Sequence, residues 1–152
     1  MIRPADQSDA EALTQLINRA FQVEKFFIDT ERISPPQTLD YLRKGVFLVN
    51  DDDGVIAACI YIELRGDRAY FGLLSVDPER QRAAIGKQMI AAAEAFCREA
   101  GCRFLDILVV NLRQELPPYY RKLGYAESGT SEFPADVETK MPCHFIQMTK
   151  AL

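Results

Sequence analysis

The sequence predicts a mixed α/β fold: a central sheet that is mostly antiparallel, with one parallel strand pair and helices on both faces. Three observations carry this expectation. Apolar runs rich in β-branched residues, "VFLVN", "VIAACIYIEL" and "AYFGLLSV", follow one another across tight turns, as in a meander. Leu13, Leu16, Ile17, Ala20 and Phe21 recur at helical spacing before them, and Ile85, Met89, Ala92, Ala93, Phe96 and Cys97 after them. The second helix stands between "AYFGLLSV" and "RFLDILVV", and a strand, helix, strand unit implies a right-handed crossover and a parallel pair.

Element by element, "MIRPA" reads as a short first strand. Ser8 with Glu11 forms a capping-box pattern that places the first helix start near Asp9. "QVEKFFIDTERISPPQ" has no clean period and reads as a loop or broken helix. "PQTLDYLRKG" is a short helix ended by Gly45, and the "DDDG" and "RGDR" turns join the three strands of the meander. The first strand of the parallel pair ends near Val76. The helix from Arg82 to Ala100 stops at Gly101, and "LPPYYRKLG" is a short helix with prolines at its start and Gly124 at its end. "YAESGTS" and "CHFIQMTK" close the sheet as antiparallel strands.

Composition narrows the function classes. The 152 residues show a single composition regime, so one domain over 1–152 is expected. Net charge is -4, which argues against a nucleic-acid binder, and no apolar run is long enough to imply a membrane partner. The opening residues lack a signal-peptide pattern, so a cytoplasmic location is expected. Cys59, Cys97, Cys102 and Cys143 are scattered without CxxC spacing, which predicts reduced core thiols and no metal site.

"VDPERQRAAIGKQ" joins the end of the third meander strand to the start of a helix. Backbone N–H groups at a helix start lack intrahelical partners, and the helix dipole adds positive charge there. Small residues at Ala83, Ala84 and Gly86 admit a close ligand, and Arg82 and Lys87 supply charge, so the turn suits a pyrophosphate. A solvated basic helix start explains the same stretch equally well. Gln88 stands where a P-loop needs Ser or Thr, and a GxGxxG is absent.

The stretch "VDPERQRAAIGKQMI" resembles the acetyl-CoA-binding motif of the GNAT superfamily of N-acetyltransferases, Gln/Arg-x-x-Gly-x-Gly/Ala after a strand ending in Val-x-Pro. Gln81 takes the first position and Gly86 the last, with Ala84 in place of the middle glycine. "NLRQELPPYYRKLGY" is similar to the family's later motif, and "IRPADQSDAEALTQLI" to its opening.

The resemblance implies a GNAT-like sheet splayed beyond Val76, and acetyl-CoA as cosubstrate with no metal. Leu74, Ser75 and Val76 would pair with the pantetheine arm; Gln81, Arg82, Ala83, Ala84, Ile85, Gly86 and Lys87 would hold the pyrophosphate, and Asn111 would contact pantetheine. Tyr120 aligns with the family's proton-donating tyrosine, which also lies against the cofactor; Tyr119 is its neighbour. Glu63, at the end of the strand before "AYFGLLSV", is the candidate base, with Glu24 and Asp29 as alternatives. Phe26 and Phe27 are expected to wall the acceptor site, where Glu24, Asp29 and Glu31 would suit a cationic amine. The implied activity is direct acetyl transfer to a small-molecule or peptide amine; a non-catalytic CoA-binding module is the alternative, and a homodimer is compatible with either. His144, the one histidine, shares a strand face with Ile146 and Met148 and is expected to be partly buried.

Overall fold

The computed structural model describes residues 1–80 and 84–152. The described elements are β1 (Ile2–Pro4), α1 (Ala10–Ala20), α2 (Pro35–Lys44), β2 (Val46–Asp52), β3 (Val55–Arg65), β4 (Arg68–Val76), α3 (Ile85–Glu99), β5 (Phe104–Val110), α4 (Leu116–Lys122), β6 (Ala126–Glu132) and β7 (His144–Ala151). The strands form one sheet in the order β1-β2-β3-β4-β5-β7-β6. Every neighbouring pair is antiparallel except β4 with β5. This is the expected mixed fold, with β7 inserted between β5 and β6.

Local chemistry explains the boundaries. Asp53 and Gly54 both adopt positive φ between β2 and β3, and the Asp51 carboxylate accepts the Gly54 N–H at 2.7 Å, which fixes a tight hairpin. Ser34 and Gln37 form a reciprocal cap at the start of α2, so Pro35 and Pro36 open that helix rather than end the loop before it. At the first helix, by contrast, the expected Ser8–Glu11 box does not form. Asp6 caps a single 3-10 turn over Gln7–Asp9 with Asp9 as its reciprocal partner, and α1 starts only at Ala10. Asp6, two residues earlier, captures the Ser8 N–H that the expected box would have used. Arg3 then bridges Asp9 and Asp51 with contacts of 3.0 Å, tying β1 to both neighbours.

Two cores lie on opposite faces of the sheet because β3 and β4 alternate their side chains between them. Ile60, Ile62, Ala69 and Phe71 pack under α3 and α4 with Met89, Leu105 and Met148. Cys59 and Tyr61 pack under α1 and α2 with Leu13, Leu16, Ile17 and Phe47. The three buried aliphatic residues of α1 each contribute about 2 kcal/mol of burial, enough to dock a helix of 11 residues. Among the described residues, α1 and α2 cover β2, β3 and β4, and the same face of β5, β7 and β6 carries no helix. Cys59, Cys97 and Cys102 are buried free thiols and Cys143 is partly exposed. No described helix is long and apolar enough to cross a membrane.

Candidate active site

β4 and β5 pair through only three rungs, Arg68 with Phe104, Ala69 with Leu105 and Tyr70 with Asp106. Beyond them β4 runs on to Val76 while β5 runs on to Val110 alongside β7, so a cleft opens between Phe71–Val76 and Ile107–Val110. A bulge in β4 explains the parting. Cys59 pairs with Ser75 but Tyr61 with Gly72, which leaves one extra residue in β4, and Leu73 takes a left-handed φ of 53° to accommodate it. The Ser75 hydroxyl and the Cys59 thiol both donate to the Leu73 carbonyl, at 3.0 and 3.7 Å, and hold the bulge from either side. Burial pushes the Cys59 thiol up to about 12, so it stays a neutral donor.

One end of the cleft meets the start of α3. The expectations for Gln81, Arg82 and Ala83 fall outside the described residues. Ala84 precedes the helix with φ 55° and ψ 30°, and no side chain caps the helix start. Gln88 is the first residue of the helix whose N–H reaches a described helical acceptor, the Ala84 carbonyl at 3.1 Å, and the N–H groups of Ile85, Gly86 and Lys87 make no hydrogen bond among the described residues. The position over Gly86 is not crowded: a Cβ there would make ordinary van der Waals contacts, 3.7 Å from the Tyr119 hydroxyl and 3.9 Å from the Val76 side chain. This donor set and its clearance fit a phosphate. Lys87 is exposed in the first turn. Ala84 sits not in the helix but in the left-handed region that glycine enters without strain. Ala84→Gly is therefore expected to stabilise the fold by about 0.5–1 kcal/mol and to raise the melting temperature by about 2 °C, measurable by thermal unfolding.

Tyr120 stands over the vertex of the cleft on the α3 and α4 face. Its ring is buried against Phe71, Tyr125 and Tyr119 with centroids 6.1, 5.8 and 5.2 Å away. Burial raises its phenol well above the ordinary value and Tyr119 adds to this, while the positive charge of Arg113 pulls it back. The group is thus a protonated phenol with a nearby cation that favours its anion. Tyr119 faces a different way, toward Gly86.

Asn111, at the end of β5, accepts the His144 N–H on its side-chain oxygen at 2.8 Å, and its own N–H donates to the His144 carbonyl at 2.9 Å. Its amide nitrogen makes no hydrogen bond among the described residues. His144 is exposed, contrary to expectation, because it is the first residue of β7 and lies beyond the reach of the core under Ile146 and Met148.

Glu63 looks less like a base than its position suggests. Glu63 lies beside Tyr70 across β3 and β4, but it accepts the Tyr61 hydroxyl at 2.8 Å and Arg65 Nε at 2.9 Å, and these bonds hold its carboxyl below the usual range. Glu24 is largely buried and ion-paired with Arg113 at 3.0 Å; burial raises its carboxyl although Arg113 opposes the shift. Asp29 pairs with Lys140 at 2.9 Å and Glu31 with Lys25 at 3.6 Å. The acidic loop is neutralised from within the chain, so its charge does not favour a cationic amine. Phe27 is fully buried against Phe26 and Phe133 and presents no surface to a ligand, whereas Phe26 remains about half exposed.

Some residues at the site gave little or no local sign of it. Tyr70 folds back along β4 so that a Cβ at Gly72 would collide with its hydroxyl. The glycine two residues on was the available signal. Arg113 and Arg68 were not singled out because their partners Glu24 and Asp106 are remote in sequence. Among the described residues, no group of three His, Cys, Asp or Glu is placed to hold a metal ion.

A splayed parallel pair, a helix start with no cap among the described residues at one end of the cleft and a buried tyrosine over the other make a cleft that suits an extended ligand with an anionic end. Comparison with known proteins agrees: the acetyltransferase (GNAT) family model matches residues 10–125, and the chain belongs to that family. No curated protein matches the chain. Solved structures share its fold. The ribosomal-protein-S18-alanine N-acetyltransferase of Escherichia coli has a TM-score of 0.79 at 17% identity, covering 99% of this chain and 92% of that one. Ard1 of Thermoplasma volcanium has a TM-score of 0.80 at 20% identity, covering 100% and 98%. The yncA protein of Salmonella typhimurium, solved with its cofactor acetyl-CoA, has a TM-score of 0.78 at 17% identity, covering 100% and 93%.

Proposed function

We propose that the protein is an acetyl-CoA-dependent N-acetyltransferase that transfers acetyl directly to an amine. The observation that carries this reading is the cleft between β4 and β5, open along Phe71–Val76 and ending at N–H groups that have no partner among the described residues. In the proposal, the backbone of Leu74, Ser75 and Val76 pairs with the pantetheine arm as with an added strand, and Asn111 offers its amide from the opposite wall. The N–H groups of Ile85, Gly86 and Lys87 would hold the pyrophosphate together with Gln81, Arg82, Ala83 and Ala84.

Acetyl-CoA supplies the acetyl group as an activated thioester. The protein's part is to orient the two reactants and hold a proton. Tyr120 Oη holds that proton: the raised phenol stays protonated at neutral pH, and Arg113 lowers the cost of the phenolate left after donation to sulfur. Glu63 is no longer favoured as base, since its hydrogen bonds stabilise the carboxylate. Calorimetry with acetyl-CoA followed by thiol release over a panel of amines tests the reading. Micromolar binding with amine-dependent thiol release is expected. Binding without release on any amine would favour a non-catalytic module, and failure to bind acetyl-CoA would remove both.

A further inference from the structure

A groove of about 390 Å³ lies on the sheet face that α1 and α2 leave open, lined in part by Arg65, Arg68, Tyr70, Asp106, Gln147 and Thr149. It starts at the vertex of the cleft, because Tyr70 and Asp106 form the last rung between β4 and β5. Tyr120 and the core stand on the opposite face, so an amine arriving through this groove meets the vertex from the side that the helices do not block.

Hydrogen-bond accounting gives the groove a sign. Arg68 donates through Nε at 2.9 Å and Nη2 at 2.6 Å to the two Asp106 oxygens, and Thr149 donates to Asp106 at 2.6 Å. Asp106 is thereby engaged as an acceptor. Arg65 donates through Nε to Glu63, whose other oxygen accepts the Tyr61 hydroxyl. Both guanidiniums are stacked as well, Arg65 at 4.8 Å from the Tyr70 ring centroid and Arg68 at 4.7 Å from that of Phe104. Among the described residues, both Nη atoms of Arg65 and Nη1 of Arg68 make no hydrogen bond. The carboxylates are committed while pre-oriented guanidinium donors are not, and such forks match carboxylate oxygens.

The balance of charge selects among anions. Arg65 and Arg68 against Asp106 leave one net positive charge on the lining. Glu63 behind Arg65 is offset by Lys44, whose charge acts on its carboxyl. One net charge suits a carboxylate better than a dianionic phosphate. Arg68 is two residues from Tyr70, about 7 Å along a strand, a span that a small molecule bridges.

We propose that the groove seats the carboxylate of the acceptor on Arg65 and Arg68 while the acceptor's amine reaches the vertex, so that the acceptor is an amino acid or a small amino-acid-like compound. This rests on the acetyl-transfer reading for its reaction and on the groove alone for its recognition. Three acetylated acids, N-acetyl-L-alanine, N-acetyl-L-methionine and N-acetyl-4-aminobutyrate, are titrated beside their methylamides into CoA-saturated protein, with binding followed by calorimetry. At least one acid is expected to bind about tenfold or more tighter than its amide. Arg65→Gln, a change at a side chain that is 55% exposed, is expected to cut that advantage at least fivefold with the melting temperature unchanged, and Arg65→Gln with Arg68→Gln to abolish it.

Equal affinity of acids and amides in all three pairs, or a preference that survives the double substitution, would overturn the proposal. Thiol release with the parent amino acids reads the reaction separately. Acids that bind without any release support the groove and count against acetyl transfer; release on neutral amines with no preference for acids supports acetyl transfer and overturns the carboxylate seat.

Discussion

Tyr120→Phe is expected to lower kcat for amine-dependent thiol release by about 100-fold or more while leaving the acetyl-CoA dissociation constant within about twofold. The ring remains packed on Phe71 and Tyr125, so the substitution removes one hydroxyl and little else. That hydroxyl makes no hydrogen bond among the described residues, and its loss leaves no partner stranded. Stability should stay within about 1 kcal/mol. Tyr119→Phe is the matched control. Its hydroxyl lies beside Gly86 at the helix start, so any effect should fall on acetyl-CoA affinity rather than on kcat. A Tyr120→Phe enzyme with unchanged kcat would take the phenol out of the mechanism, whatever the acceptor.

The second large effect concerns the fold. Glu94 lies on α3 at a position only 7% exposed, where it accepts the Tyr125 hydroxyl at 2.8 Å and Lys150 Nζ at 3.0 and 3.1 Å. Lys150 also stands 5.6 Å over the Tyr125 ring. Glu94→Leu leaves a partly exposed ammonium and a buried hydroxyl unpaired together, and is expected to cost about 2 kcal/mol, or roughly 4–8 °C in melting temperature. Removing all three polar groups at once, as Glu94→Leu, Lys150→Met and Tyr125→Phe, should return most of that loss because no unpaired group remains. Thermal unfolding of the two variants measures the difference. A triple variant no more stable than the single one would show that packing, not the unpaired charge, sets the cost.

Strand and helix order was legible in the sequence because it rests on local periodicity: the meander, the crossover helix and the end of β4 at Val76 all follow from runs of a few residues. The features that give the site its shape depend on conformation or on distant partners. Leu73 and Ala84 both take left-handed backbone, which neither residue type announces, and one opens the cleft while the other starts the helix that ends it. The acidic loop looked available for a cation because Arg113 and Lys140, which neutralise Glu24 and Asp29, lie far along the chain. Phe26 and Phe27 looked equivalent as neighbours, yet only packing against Phe133 decides which of them is buried. Glu94 occupied a core stripe that a reading of apolar residues alone passes over.

The three rungs between β4 and β5 have a mechanical meaning. They make a seam between a wing of four strands and a wing of three, and apart from the edge pair β1 with β2, which also has three rungs, every pair inside the wings is longer. What spans the seam instead is the core under α3 and α4, with the Glu94 cluster fastening α3 to β7 and to Tyr125 just after α4. Any extended ligand that pairs with Leu74–Val76 adds rungs along this weak line. Occupancy of the cleft and cohesion of the two wings are in that sense one equilibrium, read from opposite ends.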